Sequence, residues 1–501
     1  MNPLKQLASQ TAVYGLSSIL GRFINYLLVP LYTYLFTPAE YGVVSEFYAY
    51  AGFFAVVLVL GLETGYFRFR TETNERIYST SLYCVLAINT LFLAALIFES
   101  DRLASLLHYR NHAEYLIWFA MILALDAAAA IPFARLRAEN RALRFASIKL
   151  TEIFLAVALN VYLIVYCRHA FETAPHSFSA GLYDPNIGVG YIFIANLIAS
   201  VVKIILLLPQ FLGLKSGIDF GLLRQLLRYS LPMVLIGLAG VINETLDRAI
   251  MKELLPFDLK TNLHLLGVYG ACYKLSILMS LFIQAFRYAG EPFFFAQAGK
   301  REAGNLYAEV MRYFVIFCVF VFLLVTLYLD LFQYFIGEPF REGLKVVPVL
   351  LLANLFLGIY VNLSIWYKLT DRTGFGALVS LVGAGITITL NVWWIPIFGY
   401  SGSAWATLAC YFVMCALSYG LGRAYYPVPY NLKAVLGYIF FGIAIYFSNA
   451  QLIRWTEWNP LVAGTLSMIL FLSATLTLES FRWRSGKALL GRRPGPDRVQ
   501  N

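Results

Sequence analysis

Charge is scarce in this sequence. Asp, Glu, Lys and Arg make up 13% of its 501 residues, against about a quarter in soluble domains. That excludes a soluble globular protein with an ordinary core. Chemistry-bearing patterns are scarce as well. No G-x-x-x-x-G-K-[ST] loop is present, so ATP hydrolysis by this chain is not expected. No DxD or Ser/His/Asp arrangement stands out, and the chain does not read as an enzyme. The six cysteines (Cys84, Cys167, Cys272, Cys318, Cys410 and Cys415) lack zinc-site spacing and lie in or beside apolar runs, as buried thiols do. All five histidines fall in connections. His108 and His112 are one helical turn apart but have no third ligand nearby, so neither a metal nor a cofactor is expected. No polar stretch is long enough to fold alone. The opening apolar run exceeds the signal-peptide core of about 7–15 residues and is expected to stay as a first span.

What fills the chain is apolar: 60% hydrophobic residues and a mean hydropathy of +0.69. Runs of roughly 20 apolar residues recur, each able to cross a hydrocarbon core of about 30 Å. They fall at 12–36, 41–66, 77–98, 113–134, 147–167, 186–212, 229–251, 265–290, 307–329, 344–367, 375–396, 402–422, 434–452 and 460–479. The expected fold class is an all-α integral membrane protein of about 14 transmembrane helices.

Alternating the connections between two sides puts 24 Lys and Arg on one side and eight on the other, with six inside spans. This bias assigns the richer side, and both termini, to the cytoplasm. The net charge of +10 then reflects contact with anionic lipid headgroups. The basic segments are short and lie at membrane edges, so no nucleic-acid partner is expected. The longest extracytoplasmic connection, "CRHAFETAPHSFSAGLYDPN", is short for a membrane glycosyltransferase or polysaccharide polymerase, which usually carries a large catalytic loop.

The chain also partly repeats itself. "TPAEYGVVSEFYAYAGFFAVVLVLGLETGYFRF" entering span two matches "HLLGVYGACYKLSILMSLFIQAFRYAGEPFFF" entering span eight, with Tyr41-Gly42 against Tyr269-Gly270. "NIGVGYIFIANLIASVVK" at span six echoes "GYSGSAWATLACYFVMCAL" at span twelve. The expected organisation is two related six-helix lobes around a central cavity, 1–228 and 229–432. Accessory spans follow at 433–481, then a basic cytoplasmic tail at 482–501.

Ionisable groups inside spans cost about 2.5–3.5 kcal/mol each on insertion scales, so several together imply a use. The candidates for binding an anionic substrate are Arg22, Asn25, Lys203, Arg248, Lys274 and Arg287. Arginine suits phosphate because its planar fork makes paired charge-assisted bonds. Glu46, Asp126, Glu244 and Asp247 are candidates for coupling or ion pairing. Glu244 and Arg248 share a helix face at i, i+4, and Glu46 could pair with Arg22. Pro30, Pro132, Pro232, Pro348 and Pro396 lie in or at the ends of spans, and "LPMVLIGLAGVIN" marks span seven as a bending helix.

At these residues the chain resembles a known family. "QTAVYGLSSILGRFINYLLVPLYTYLFTPAEYGVVS" and "YSLPMVLIGLAGVINETLDRAIM" followed by "LGVYGACYKLSILMSLFIQAF" resemble the bacterial polysaccharide-biosynthesis oligosaccharide flippases of the Wzx type. These belong to the multidrug/oligosaccharidyl-lipid/polysaccharide exporter superfamily. The resemblance implies translocation of undecaprenyl-pyrophosphate-linked oligosaccharide from the cytoplasmic to the periplasmic leaflet, by alternating access, for surface polysaccharides such as O-antigen. It places the protein in the bacterial inner membrane, among membrane lipids, with a polysaccharide polymerase or chain-length regulator as an expected partner. It also puts Arg22, Asp247 and Lys274 where the family has cavity charges. A lipid II-type flippase or a cation-coupled drug exporter would share the fold.

Overall fold

The computed structural model describes the backbone of residues 3–70, 76–212, 214–215, 217–300 and 303–490. Side chains are described for those of residues 19–482, residue 292 excepted. Residues 491–501, the end of the expected basic tail, lie outside the described residues. Among the described residues all regular structure is helical. The long helices are α1 (Pro3–Leu35), α2 (Pro38–Val59), α3 (Arg76–Phe98), α4 (Ala113–Ala138), α5 (Ala142–Val161), α6 (Gly190–Phe211), α7 (Phe220–Leu254) and α8 (Leu259–Leu275). They continue with α9 (Ile277–Gln297), α10 (Ala303–Leu327), α11 (Val347–Leu363), α12 (Thr373–Phe398), α13 (Tyr400–Tyr425), α14 (Leu432–Thr456) and α15 (Pro460–Leu490). Twelve spans in the described residues are long and apolar enough to cross a membrane, and α8 with α9 makes a thirteenth. Of α1, Ile19–Leu35 adds a shorter apolar helix.

Helix ends follow local chemistry. Thr37 caps α2, with Glu40 reaching back to the Thr37 amide at 2.8 Å and Pro38 in the first turn. Asp219 caps α7 and Asp258 caps α8. The Thr261 hydroxyl and amide donate to Asp258, which holds its carboxyl below the usual range. Leu60 and Gly61 both take positive φ and break α2 from a short helix, Leu62–Phe69.

A break between helices lies in span eight. α7 runs uninterrupted through Pro232, whereas α8 and α9 bend by 46° around Ser276. Side chains satisfy backbone and neighbour there: Ser276 Oγ donates to Tyr273 O at 2.7 Å and accepts from Asn354 Nδ2 at 3.2 Å. Pro348 opens α11 rather than bending it.

The helices sort into two compact units, Met1–Ala303 with Phe335–Val428, and Gly304–Tyr334 with Pro429–Asn501. The second contains α10, α14 and α15. Gly442 meets Val319 and Gly464 meets Leu327, so small residues let these helices approach. Glu479 ties all three together. It accepts from Tyr438 Oη at 2.7 Å and pairs with Arg312 at 3.2 Å and Arg482 at 2.7 Å.

In the first unit, α2 is the central strut. Phe47 is buried among Tyr109, Phe119 and Phe193. The opposite face of α2 meets α8 with no side chain between them. A Cβ on Gly42 would lie 2.1 Å from Leu263 O, and one on Gly267 would lie 1.8 Å from Pro38 O. Gly270 packs on Ser45 and Tyr41, so the two Tyr-Gly motifs matched by the repeat meet in space. Further along, Gly52 faces Val241 and Thr245 of α7, and Gly237 faces Val56.

Candidate functional site

The densest set of in-span charges lies where α7 passes α8. Asp247 is buried and fully engaged. Its Oδ1 accepts from the Arg248 amide at 2.8 Å and from Arg248 Nε at 3.2 Å. Its Oδ2 accepts from Tyr269 Oη at 2.6 Å and Ser403 Oγ at 3.2 Å. Arg248 is thereby fixed, with its guanidinium 4.1 Å from the Tyr273 ring centroid and a further bond to the Glu244 carbonyl oxygen. The side-chain pairing expected between Glu244 and Arg248 is replaced by this arrangement. Asp247 lies closer to the guanidinium, and the Glu244 side chain stays exposed. Lys274 stands in the last turn of α8, just before the break, where the freed carbonyl ends favour a cation. Among the described residues its ammonium makes no hydrogen bond or ion pair; its electrostatic neighbours are Arg248 and Glu244.

Arg22 enters from α1. Its guanidinium meets the Gln284 amide oxygen of α9 once that amide is oriented to accept. Arg22 is otherwise exposed, as is Asn25 one turn on. Three cations from α1, α7 and α8 are therefore either lightly held or pinned by a single carboxylate.

The other candidates take different settings. Lys203 is 1% exposed and donates to Asp126 Oδ1 at 2.5 Å and to Glu152 Oε1 at 2.6 Å, with Ser200 also bound to Asp126. Glu46 pairs with Lys252 at 2.8 Å rather than with Arg22. Arg287 is 60% exposed and pairs with Glu291, which also holds Lys368. His108 faces Glu253 and His112 faces Glu114.

Sequence reading missed several of these partners. Gln284, Ser403 and Tyr273 are ordinary residues in apolar runs, and Glu152 stands near the start of one. Their role exists only through contacts between helices distant in sequence. Glu152 carried one usable signal, its place three residues after Lys149, with which it also pairs at 3.1 Å.

A bundle of spans with charged side chains inside it defines the class: a polytopic membrane protein with the fold of flippases and exporters. Residues 33–172 match the family model described as "Polysaccharide biosynthesis protein". No curated protein sequence matches. Among solved structures, the lipid II flippase MurJ in an inward closed conformation is similar at a TM-score of 0.68 and 14% identity, over 93% of this chain and 98% of that one. The MATE multidrug transporter DinF-BH is similar at 0.61 and 18%, over 85% and 97%. An inward-facing multidrug resistance MATE transporter of the MOP superfamily is similar at 0.60 and 14%, over 83% and 94%. At such identities the likeness is one of fold, and it extends over nearly the whole chain.

Proposed function

We propose that this protein is a flippase that moves an undecaprenyl-pyrophosphate-linked oligosaccharide from the cytoplasmic to the periplasmic leaflet of a bacterial inner membrane. The observation that carries the reading is Lys274. It is an ammonium inside a span with no hydrogen-bonding or ion-pairing partner among the described residues, beside an arginine held in place by Asp247. A cation so placed calls for an anion that comes and goes. A diphosphate fits, because the Arg248 fork and the Lys274 point charge can share its oxygens. At about 4 Å and an effective dielectric near 20, each charge pair contributes roughly 4 kcal/mol. Asp247 and Glu244 balance Arg248 and Lys274 in number, but Asp247 is spent on Arg248, which leaves Lys274 to attract a phosphate without trapping it. The sugar and diphosphate cannot cross hydrocarbon unaided, while the polyprenyl tail can remain in lipid. The lobes at 1–228 and 229–432 would rock about this site, with both termini in the cytoplasm. A polymerase or chain-length regulator would receive the product.

Depleting the protein and analysing lipids tests this reading. Undecaprenyl-linked oligosaccharide should accumulate on the cytoplasmic leaflet, and Arg22→Ala should fail to complement while still inserting. Unchanged lipid-linked pools would overturn the flippase reading. Lipid II is the second candidate cargo, favoured by the fold likeness to a lipid II flippase; the identity of the accumulating species separates the two.

A further inference from the structure

One buried ion pair takes no part in the anion site. Glu46 of α2 is 0% exposed and Lys252 of α7 is 1% exposed, and they meet at 2.8 Å. The Glu46 carboxylate also accepts from Tyr50 Oη at 2.7 Å and Tyr109 Oη at 2.6 Å. The Lys252 ammonium also donates to Leu107 O at 2.9 Å and lies 4.8 Å from the Tyr109 ring centroid. Glu253 stands 3.5 Å from Lys252 and 3.9 Å from His108, at the half-exposed rim. Tyr50 Oη makes one more link, to Ala249 O of α7 at 3.3 Å. These contacts join α2 or the 107–109 connection of the first repeat to α7 of the second, except those of the Tyr50 and Tyr109 phenols to Glu46 and that of Glu253 to Lys252 within α7.

We propose that the Glu46–Lys252 pair, with Tyr50 and Tyr109, is an electrostatic latch that holds the two repeats together at the end of the membrane where the 107–112 and 255–258 connections lie. The physical argument turns on what else could fill the space. A buried ion pair is seldom more stabilising than well-packed apolar residues of similar volume, because desolvating both charges offsets their attraction. Its distinctive property is reversibility. Once the helices separate, both ions regain water, whereas an apolar seal would expose its surface at full cost. The pair also fixes register, since removing either partner leaves the other buried and uncompensated. The adjoining Gly42–Gly267 contact acts with it. Backbones touch there with no interdigitating side chain to withdraw, so the seam can part as a unit.

The latch requires only that the repeats separate at this end, whatever the cargo, so it can be tested without substrate. Ser45 faces Gly270 across the seam. In the full-length protein in vesicles, Ser45→Cys is labelled with a membrane-impermeant maleimide from that side, against a parent control for the native thiols. With the latch intact, labelling should be slow. Adding Glu46→Gln or Lys252→Met should accelerate it by about tenfold or more, since a broken buried pair favours the open arrangement. The reversal Glu46→Lys with Lys252→Glu should restore slow labelling in part. Tyr109→Phe, which leaves both charges in place, should give a smaller acceleration and serves if the charge variants fail to insert. Equal labelling of the parent and all inserted variants would overturn the latch. That result would leave the cargo reading untouched, because phosphate binding is read by a different assay.

Discussion

Lys252 and Lys274 sit on neighbouring helices and meet opposite conditions. Lys252 has a carboxylate, a carbonyl oxygen and an aromatic face around its ammonium. Among the described residues Lys274 makes no such contact. The first is neutralised and sealed, so its charge serves the scaffold. The second has Glu244 only as an electrostatic neighbour, with no ion pair formed among the described residues, which is why the proposed ligand contact falls there. Lys203, clasped by Asp126 and Glu152, belongs with Lys252. In a membrane-embedded bundle it is the completeness of the surrounding shell, rather than the presence of a charge, that separates scaffold from site.

The largest expected effect comes from erasing the difference at Lys274. Lys274→Ala, which leaves the buried Asp247–Arg248 pair intact, should abolish complementation in cells while leaving the amount of inserted protein near normal, measured by immunoblot of membranes. Next is Lys203→Met, which takes the shared ammonium from the half-exposed Asp126 and leaves Glu152 with Lys149 alone. It should destabilise the protein by about 2–3 kcal/mol, the loss of charge-assisted hydrogen bonds, seen as a lower melting temperature in detergent. Adding Asp126→Asn and Glu152→Gln should recover most of that loss. Gly42→Val should follow, because its side chain meets the Leu263 carbonyl; overpacking of this kind costs about 1–3 kcal/mol. The smallest is Glu479→Gln in the second unit. It should lower thermal stability by about 1 kcal/mol, because the mostly buried amide keeps hydrogen-bonding atoms for Arg312 and Tyr438, and leave transport unchanged.

Much of the fold was legible because it rests on hydropathy and length, which each span carries in its own residues. The in-span charges were legible for the same reason: Arg22, Lys203, Arg248 and Lys274 interrupt apolar runs. Their partners were not. Glu46 was read with Arg22 because both stand in early spans, but its partner comes from 206 positions away on α7. Lys252 was counted in a connection because the apolar run ends at 251, whereas the helix continues to Leu254. Pro232 marks span seven as a bending helix on local chemistry alone. The 46° break around Ser276 carries no such mark, because Asn354 of another helix supplies its hydrogen bond. Local chemistry marks where a charge or a break can be. Contacts between distant segments decide what becomes of it.

The central claim is that Arg248 and Lys274 hold a diphosphate. Its most direct test is equilibrium binding of a short polyprenyl diphosphate, with the matching polyprenol as control, to the purified protein and to the Arg248→Ala, Lys274→Ala variant. The diphosphate should bind the native protein in preference to the alcohol, weaken with added salt, and lose at least about tenfold in affinity in the variant. Equal affinity of native protein and variant for the diphosphate would contradict the account.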